Sequence, residues 1–366
     1  MRCFCFTPTI SLLLFMFISS SIQTAEAQEG SQMEEPELHW VDMQTLTVEG
    51  QGWHTGSPSY NRLPVKAMTM VPEAVWDLSQ QSAGISVAFQ TSAREIQVRW
   101  TLKSDNLAMP HMPATGVSGV DLYQLDSRGV WNFHANGRPT GLTSTVHFEV
   151  EPQTDLRLYL PLYNGVAKLE IGVPPESSLQ AVTTGMQPPL KPLVFYGTSI
   201  TQGGCVSRPG LAAPAIVGRE LDRPVINLGF SGSGKMELVM ADLLSEVDPE
   251  IYILDCLWNM NGEMVQSRVI PFVARLRQSH PETPILLVED SSFEGITPTE
   301  KGQLLKPIYV NLRNAGDSNL YYLSNSGMLG SDFEGTVDGC HPNDLGMMRQ
   351  AQVFRRAISR ILAIYE

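Results

Sequence analysis

The hydrophobic pattern of this chain changes its period near Pro188–Pro192, and that change constrains the fold more than any other feature. Before the break, apolar and polar residues alternate. Ile85-Ser86-Val87-Ala88-Phe89, Ile96-Gln97-Val98-Arg99-Trp100, Leu156 to Leu160 and Val166 to Ile171 all follow the pattern. A period of two sends successive side chains to opposite faces of a strand. Turn residues separate the runs, as at Asp126-Ser127-Arg128-Gly129 and Asn136-Gly137. This predicts an all-β antiparallel sandwich or jelly roll over residues 38–187, without helices and without internal repeats. After the break, short apolar strands alternate with stretches of helical period. Met236–Val247 and Val265–Arg277 read as amphipathic helices, Ile285–Val288 and Leu320–Leu323 as strands, and Leu345–Ile364 as a closing helix. Strand–helix alternation implies a parallel α/β sheet covered on both faces, here over residues 190–366. A chain of 366 residues, 43% of them apolar, is long enough for two cores.

Residues 1–27 read as a secretory leader. Arg2 supplies a thin positive region, Ile10–Ile18 an apolar core too short to span a bilayer, and Ala25-Glu26-Ala27 a small-x-small cleavage site. Cleavage there starts the mature chain at Gln28 and places it in the periplasm or outside the cell. Residues 28 to about 37 form a polar, acidic linker. No later stretch is long and apolar enough for stable membrane insertion. A formal net charge of −13 argues against nucleic acid or an anionic membrane as partner. Cys3 and Cys5 leave with the leader. The remaining Cys205, Cys256 and Cys340 allow at most one intrachain disulfide, and the pairing stays open. Adjacent Cys340 and His341 lack the spacing of a zinc-ligand pair, so no metal is expected.

Four blocks carry chemistry. Val194-Phe195-Tyr196-Gly197-Thr198-Ser199 is a buried strand that delivers a hydroxyl to a sheet edge. Asp338-Gly339-Cys340-His341 puts a carboxylate three residues before an imidazole, close enough for one turn to hold both. Between them, Asn227 to Gly234 is a Gly-rich loop whose N–H groups suit an oxyanion. Its spacing is not that of a phosphate-binding Walker loop. Ile251 to Asn259 is another buried strand, ending in an amide side chain. Each block alone also reads as an ordinary turn or cap. Ser199, Gly232 and Asn259 all fall just past strand ends, where open α/β sheets bind ligands.

Together the four blocks resemble the SGNH, or GDSL-type, hydrolases. The resemblance implies a flavodoxin-like doubly wound sheet. It places Ser199 as nucleophile, His341 as general base and Asp338 as its partner. The Ser199 N–H, the Gly232 N–H and the Asn259 amide take the oxyanion hole. Two blocks depart from the usual pattern: Gly-Asp-Ser-Leu reads Gly197-Thr198-Ser199-Ile200, and Gly-x-Asn-Asp reads Leu257-Trp258-Asn259-Met260. Gly119-Val120-Asp121-Leu122-Tyr123 resembles the Gly-x-Asp-Leu-Tyr signature of a β-rich domain that precedes a subset of these hydrolases. In that subset the third block often carries Asp-Cys-Leu-x-Asn, as Asp255 to Asn259 do.

The expected function is a secreted serine esterase that needs no cofactor and removes acetyl groups from a polysaccharide or oligosaccharide. The alternatives are a short-chain lipid or aryl esterase, and a glycan-binding protein with a vestigial site. Gln202 and Arg208 in the loop after the nucleophile, His111 in the loop Met109–Pro113, and Glu289 at a later strand end are the substrate-contact candidates. Each has a structural reading as well. Glu289 and Asp290, adjacent in an extended segment, point opposite ways and make a poor glycosidase pair. Trp53, Trp76, Trp100 and Trp131 invite a sugar-platform reading, with the core as the stronger one.

Overall fold

The fold is described from a computed structural model that covers residues 37–53, 59–182, 190–296 and 298–365. The expected leader and all but the last residue of the linker lie outside them.

The alternating runs become two antiparallel sheets. One joins β1 (His39–Asp42), β9 (Val166–Val173), β4 (Glu95–Leu102) and β7 (Thr143–Glu149) in that order. The other joins β10 (Leu179–Ala181), β3 (Ser86–Thr91), β8 (Leu156–Tyr159), β5 (Val120–Leu125) and β6 (Trp131–Gly137), with β2 (Thr47–Glu49) also on β3. On β4, Ile96, Val98, Trp100 and Leu102 are buried while the residues between them are not. They meet Val87, Phe89, Leu122, Leu156 and Leu158 of the other sheet in one core. Each such side chain contributes roughly 1.5–3 kcal/mol through its burial.

Two expectations fail here. Short helices do occur: α1 (Glu73–Ser79) and α2 (Ala114–Val117), entered from Pro72 and Pro113. One or two turns are too few to show a 3.6-residue period. Asn136-Gly137 closes β6 and is not a turn. A Cβ on Gly137 would lie 2.6 Å from Val120 Cγ2 and 3.3 Å from Trp100 Cη2, so that glycine answers to packing.

The C-terminal half is a parallel five-stranded sheet. It contains β11 (Leu193–Gly197), β12 (Val225–Gly229), β13 (Ile251–Asp255), β14 (Ile285–Val288) and β15 (Leu320–Leu323). Their spatial order is β12–β11–β13–β14–β15, the flavodoxin-like order. Val194 and Tyr196 of β11 share a core with α5 (Leu238–Leu244), α6 (Gly262–Ser279) and α7 (Glu300–Asn314). Leu193 and Phe195 share the opposite core with α4 (Ala213–Leu221) and α8 (Asp344–Leu362). Strands buried on both faces explain why β11 and β13 read as unbroken apolar runs. No helix among the described residues is long and apolar enough to cross a membrane.

The β-rich half and the α/β half belong to one compact unit, and their seam is specific. Asp121 is fully buried. It accepts hydrogen bonds from Arg208 Nη1 at 2.8 Å, Gly210 N at 2.9 Å and Asn136 Nδ2 at 2.9 Å. Arg208 Nη1 also donates to the Tyr123 hydroxyl at 2.7 Å. A Cβ on Gly210 would lie 2.3 Å from the Tyr123 ring, so that ring packs directly on the Gly210 backbone. The Asp and Tyr of the Gly-x-Asp-Leu-Tyr motif thus dock the sandwich onto the loop that follows Ser199. Asp121→Ala strands a partly buried guanidinium and is expected to cost about 3–5 kcal/mol. Urea unfolding measures this; a loss below about 1 kcal/mol would reduce the pair to a surface contact.

Candidate active site

Ser199 owes its place to the residues on either side of it. A Cβ on Gly197 would lie 2.1 Å from Thr201 Oγ1 and 2.6 Å from the Asp255 carbonyl, so only glycine lets β11 turn there. Thr198 Oγ1 then accepts the Ile200 N–H at 3.2 Å and caps the short helix α3 (Ser199–Gln202). Gly203, at φ 107°, ends it. The Tyr163 hydroxyl, from the sandwich half, donates to the Ser199 carbonyl at 3.1 Å.

The far end of the chain arrives at the same edge. Ser199 Oγ is 2.8 Å from His341 Nε2, and His341 Nδ1 is 2.8 Å from Asp338 Oδ2. Asp338 Oδ1 accepts the backbone N–H groups of Cys340 at 3.0 Å and His341 at 2.8 Å. Gly339, at φ 86°, makes that tight turn possible. Partial burial pushes the Asp338 carboxyl up, but the hydrogen bonds from the His341 backbone and ring and the Cys340 N–H outweigh it and hold the carboxyl at about 2. A carboxylate on Nδ1 keeps the proton there and leaves the Nε2 lone pair toward the serine.

The loop after β12 lies beside Ser199. Phe230 N donates to the Gly197 carbonyl at 3.0 Å. A Cβ on Gly234 would lie 1.8 Å from that same carbonyl oxygen, so the two segments touch through bare backbone. Gly232 takes φ 66°, with nothing within 4 Å of where a Cβ would stand. Asn259, in the short turn after β13, donates one amide hydrogen to the Phe230 carbonyl at 3.1 Å. That bond orients the amide, and its second hydrogen remains to donate.

Arg62 holds this loop from behind, and nothing in the sequence singled it out. It is 2% exposed. Its Nη2 donates to the Leu78 carbonyl at 2.6 Å and its Nε to the Gln81 carbonyl at 3.0 Å. Its Nη1 donates to the Gly229 carbonyl and approaches the Asn227 carbonyl at 3.5 Å. The guanidinium carbon lies 4.7 Å from the centre of the Phe230 ring. Burial pushes Arg62 down to about 9, which leaves it charged at neutral pH.

Three substrate-contact candidates turn out to be structural. Gln202 is fully buried; its Nε2 donates to the Leu162 carbonyl at 2.9 Å and to Gln81 Oε1, and its Oε1 accepts the Ser231 N–H at 3.1 Å. Arg208 is spent on Asp121 and Tyr123, with its guanidinium 3.8 Å from the centre of the Phe133 ring. Glu289 is fully buried and accepts from the Thr299 N–H and from the Tyr322 hydroxyl at 3.0 Å. Asp290 beside it pairs with Lys301 at 3.2 Å. A polar residue after a strand end reads alike in sequence whether it faces the cleft or the interior. His111 differs: it is exposed, and its ring centroid lies 6.0 Å from that of His341.

The tryptophans are committed too. Trp100 is fully buried, Trp53 and Trp76 pack on the α/β core, and Trp131 lies under Arg157. Cys205, Cys256 and Cys340 are all free thiols. Among the described residues no cluster of three or more His, Cys, Asp or Glu is placed to hold a metal ion.

Asp255 lies beneath the site at the end of β13, fully out of solvent contact but for a small fraction. Its carboxylate accepts a hydrogen bond from Thr201 Oγ1 at 2.8 Å. Burial first, and the nearby Asp290 charge second, raise it from 3.8 to about 6 against the Thr201 hydrogen bond. The folded state therefore binds this proton more tightly than the unfolded chain does. Its contribution is full below about pH 4 and is lost as pH rises through about 6. Asp255→Asn removes that loss and is expected to gain about 3 kcal/mol relative to wild type at pH 8 over pH 4. Thermal unfolding at both pH values checks this; equal differences at the two would refute it.

Residues 190–359 match the GDSL-like Lipase/Acylhydrolase family, and residues 38–179 match the GxDLY N-terminus of Esterase_SGNH_hydro-type proteins. A Bacteroides ovatus protein described as a GDSL-like lipase shares 34% identity over 89% of this chain and 98% of its own, with a TM-score of 0.81. The chain belongs to the GDSL-like lipase/acylhydrolase family. The salicylyl-acyltransferase SsfX3 of a tetracycline biosynthetic pathway has the same fold at 18% identity, covering 88% of this chain and 97% of its own, TM-score 0.71. So does a family two carbohydrate esterase from Cellvibrio japonicus, at 13% identity over 91% of this chain and 100% of its own, TM-score 0.58. No curated protein matches the sequence. In the terms of this family, Ser199, Gly232, Asn259 and the Asp338–His341 pair occupy the four sequence blocks, gathered at the carboxyl edge of one sheet.

Proposed function

We propose that this protein is a serine esterase that removes acetyl groups from a polysaccharide or oligosaccharide through an acyl-enzyme. The observation that carries the reading is the unbroken relay from Ser199 Oγ through the His341 ring to Asp338, both links 2.8 Å. His341 Nε2 takes the hydroxyl proton as Ser199 Oγ attacks the ester carbonyl. The N–H groups of Ser199 and Gly232 and the Asn259 amide hold the oxyanion; one such donor lowers the barrier by about 3 kcal/mol. His341 then gives the proton to the leaving alcohol. Water, activated by the same ring, releases the acid and restores Ser199. Asp338 fixes the imidazole tautomer throughout. The fold shared with a carbohydrate esterase supports a sugar as the alcohol. Export through residues 1–27 is part of this reading; amino-terminal sequencing of the mature protein should begin at Gln28.

Two measurements test the reading. A fluorophosphonate should label the folded protein at Ser199, as read by peptide mass spectrometry. Absence of that adduct would favour a glycan-binding protein with an inert site. Acetate release from acetylated polysaccharides should exceed turnover of p-nitrophenyl esters as their acyl chains lengthen. The reverse order would make the protein a lipid or aryl esterase.

A further inference from the structure

The mechanism above leaves one side chain beside the relay unused. His111 stands at the tip of the turn Met109–Met112, with its ring 6.0 Å from the His341 ring, centre to centre, and tilted by 52°. The turn is closed from both sides: Met109 N donates to the Met112 carbonyl at 3.0 Å, and Met112 N to the Met109 carbonyl at 3.1 Å. Pro110 within it and Pro113 just after it fix their own φ angles. Met112 is 2% exposed and packs in the same core as Ile200, within the Ser199 helix, and Val206, in the loop after it. The helix α2 that follows touches the α/β half directly, since a Cβ on Gly116 would lie 2.4 Å from the Val206 carbonyl. His111 is thus a solvent-facing ring on a rigid mount, delivered by the other half of the molecule.

Its position selects one half of the substrate. His341 Nε2 must reach the leaving oxygen to protonate it, so the alcohol part of the ester extends past that imidazole, away from the oxyanion donors. The group next to that imidazole meets the alcohol and not the acyl chain. We propose that His111 is a specificity residue for the alcohol, hydrogen-bonding a hydroxyl adjacent to the esterified oxygen of a polyol or sugar. This rests on the esterase reading and adds the side of the ester that the sandwich half recognises.

The test compares wild type with His111→Ala and His111→Gln on ethyl acetate and on a partly acetylated xylo-oligosaccharide. His111→Ala should lower kcat/KM about tenfold more on the sugar ester than on ethyl acetate, the size of one lost hydrogen bond. His111→Gln should recover part of that difference. On p-nitrophenyl esters, the ratio of variant to wild type should stay constant as the acyl chain lengthens. Equal losses on both acetates, or a ratio that changes with acyl length, would overturn the assignment to the alcohol side. Wild-type protein inert on every ester would instead refute the esterase reading, so the two failures are distinguishable.

Discussion

Ser199→Ala is expected to lower kcat for ester hydrolysis by on the order of a million-fold, with no comparable loss of stability. The reason is geometric. The hydroxyl oxygen lies 2.8 Å from His341 Nε2, and the backbone around it is held by partners the substitution leaves in place. Thr198 still caps the helix, Tyr163 still donates to the residue-199 carbonyl, and Gly197 still turns the strand. What remains is the catalysis of an oxyanion hole and a binding site without a nucleophile, roughly 10³–10⁴-fold over water. Steady-state kinetics with an acetyl ester, alongside a thermal melt, provides the measurement. Turnover within a hundredfold of wild type would mean that another group attacks.

Asp338→Asn should cost about 10⁴-fold in kcat, and the structure says why an amide is so damaging there. The backbone N–H groups of Cys340 and His341 both point at Oδ1. An asparagine must keep its oxygen on that side, which turns its NH₂ toward His341 Nδ1. The imidazole then accepts at Nδ1 and carries its proton on Nε2, where it cannot take one from Ser199. Raising the pH does not repair a wrong tautomer, so the deficit should persist across the neutral and alkaline range. In wild type the carboxyl is held at about 2, so protonation of Asp338 does not set the acid limb of activity above about pH 4. A variant that regains full rate at high pH would show that Asp338 supplies charge alone.

The parts of the site legible in the sequence were those tied to a strand end. Ser199, Gly232 and Asn259 follow apolar runs, and a run that ends in Gly or Asn marks its own rim. Asp338 and His341 announced themselves by spacing. The parallel half was readable because strands buried on both faces are unbroken apolar runs, whereas the sandwich alternates. Partnering was not readable. Gln202, Arg208 and Glu289 follow strand ends as a substrate contact would, yet each is taken up by protein groups that arrive from distant positions: Leu162 and Gln81, Asp121 and Tyr123, Thr299 and Tyr322. Arg62 gave no sign at all, because its acceptors are backbone carbonyls and any residue type supplies those. Gly137 misled for a related reason, since a glycine required beneath Trp100 looks the same as one required by a turn.

Arg62 and Asp121 also bear on how such enzymes can be recombined. A chimera that grafts a foreign N-terminal half onto residues 190–366 would leave the Asn227 and Gly229 carbonyls without their cation and Arg208 without its counter-charge. The transplanted half would have to rebuild the floor of its own Asn227–Gly234 loop. Successful swaps among relatives should therefore be confined to donors that carry an arginine and an acid at these two places.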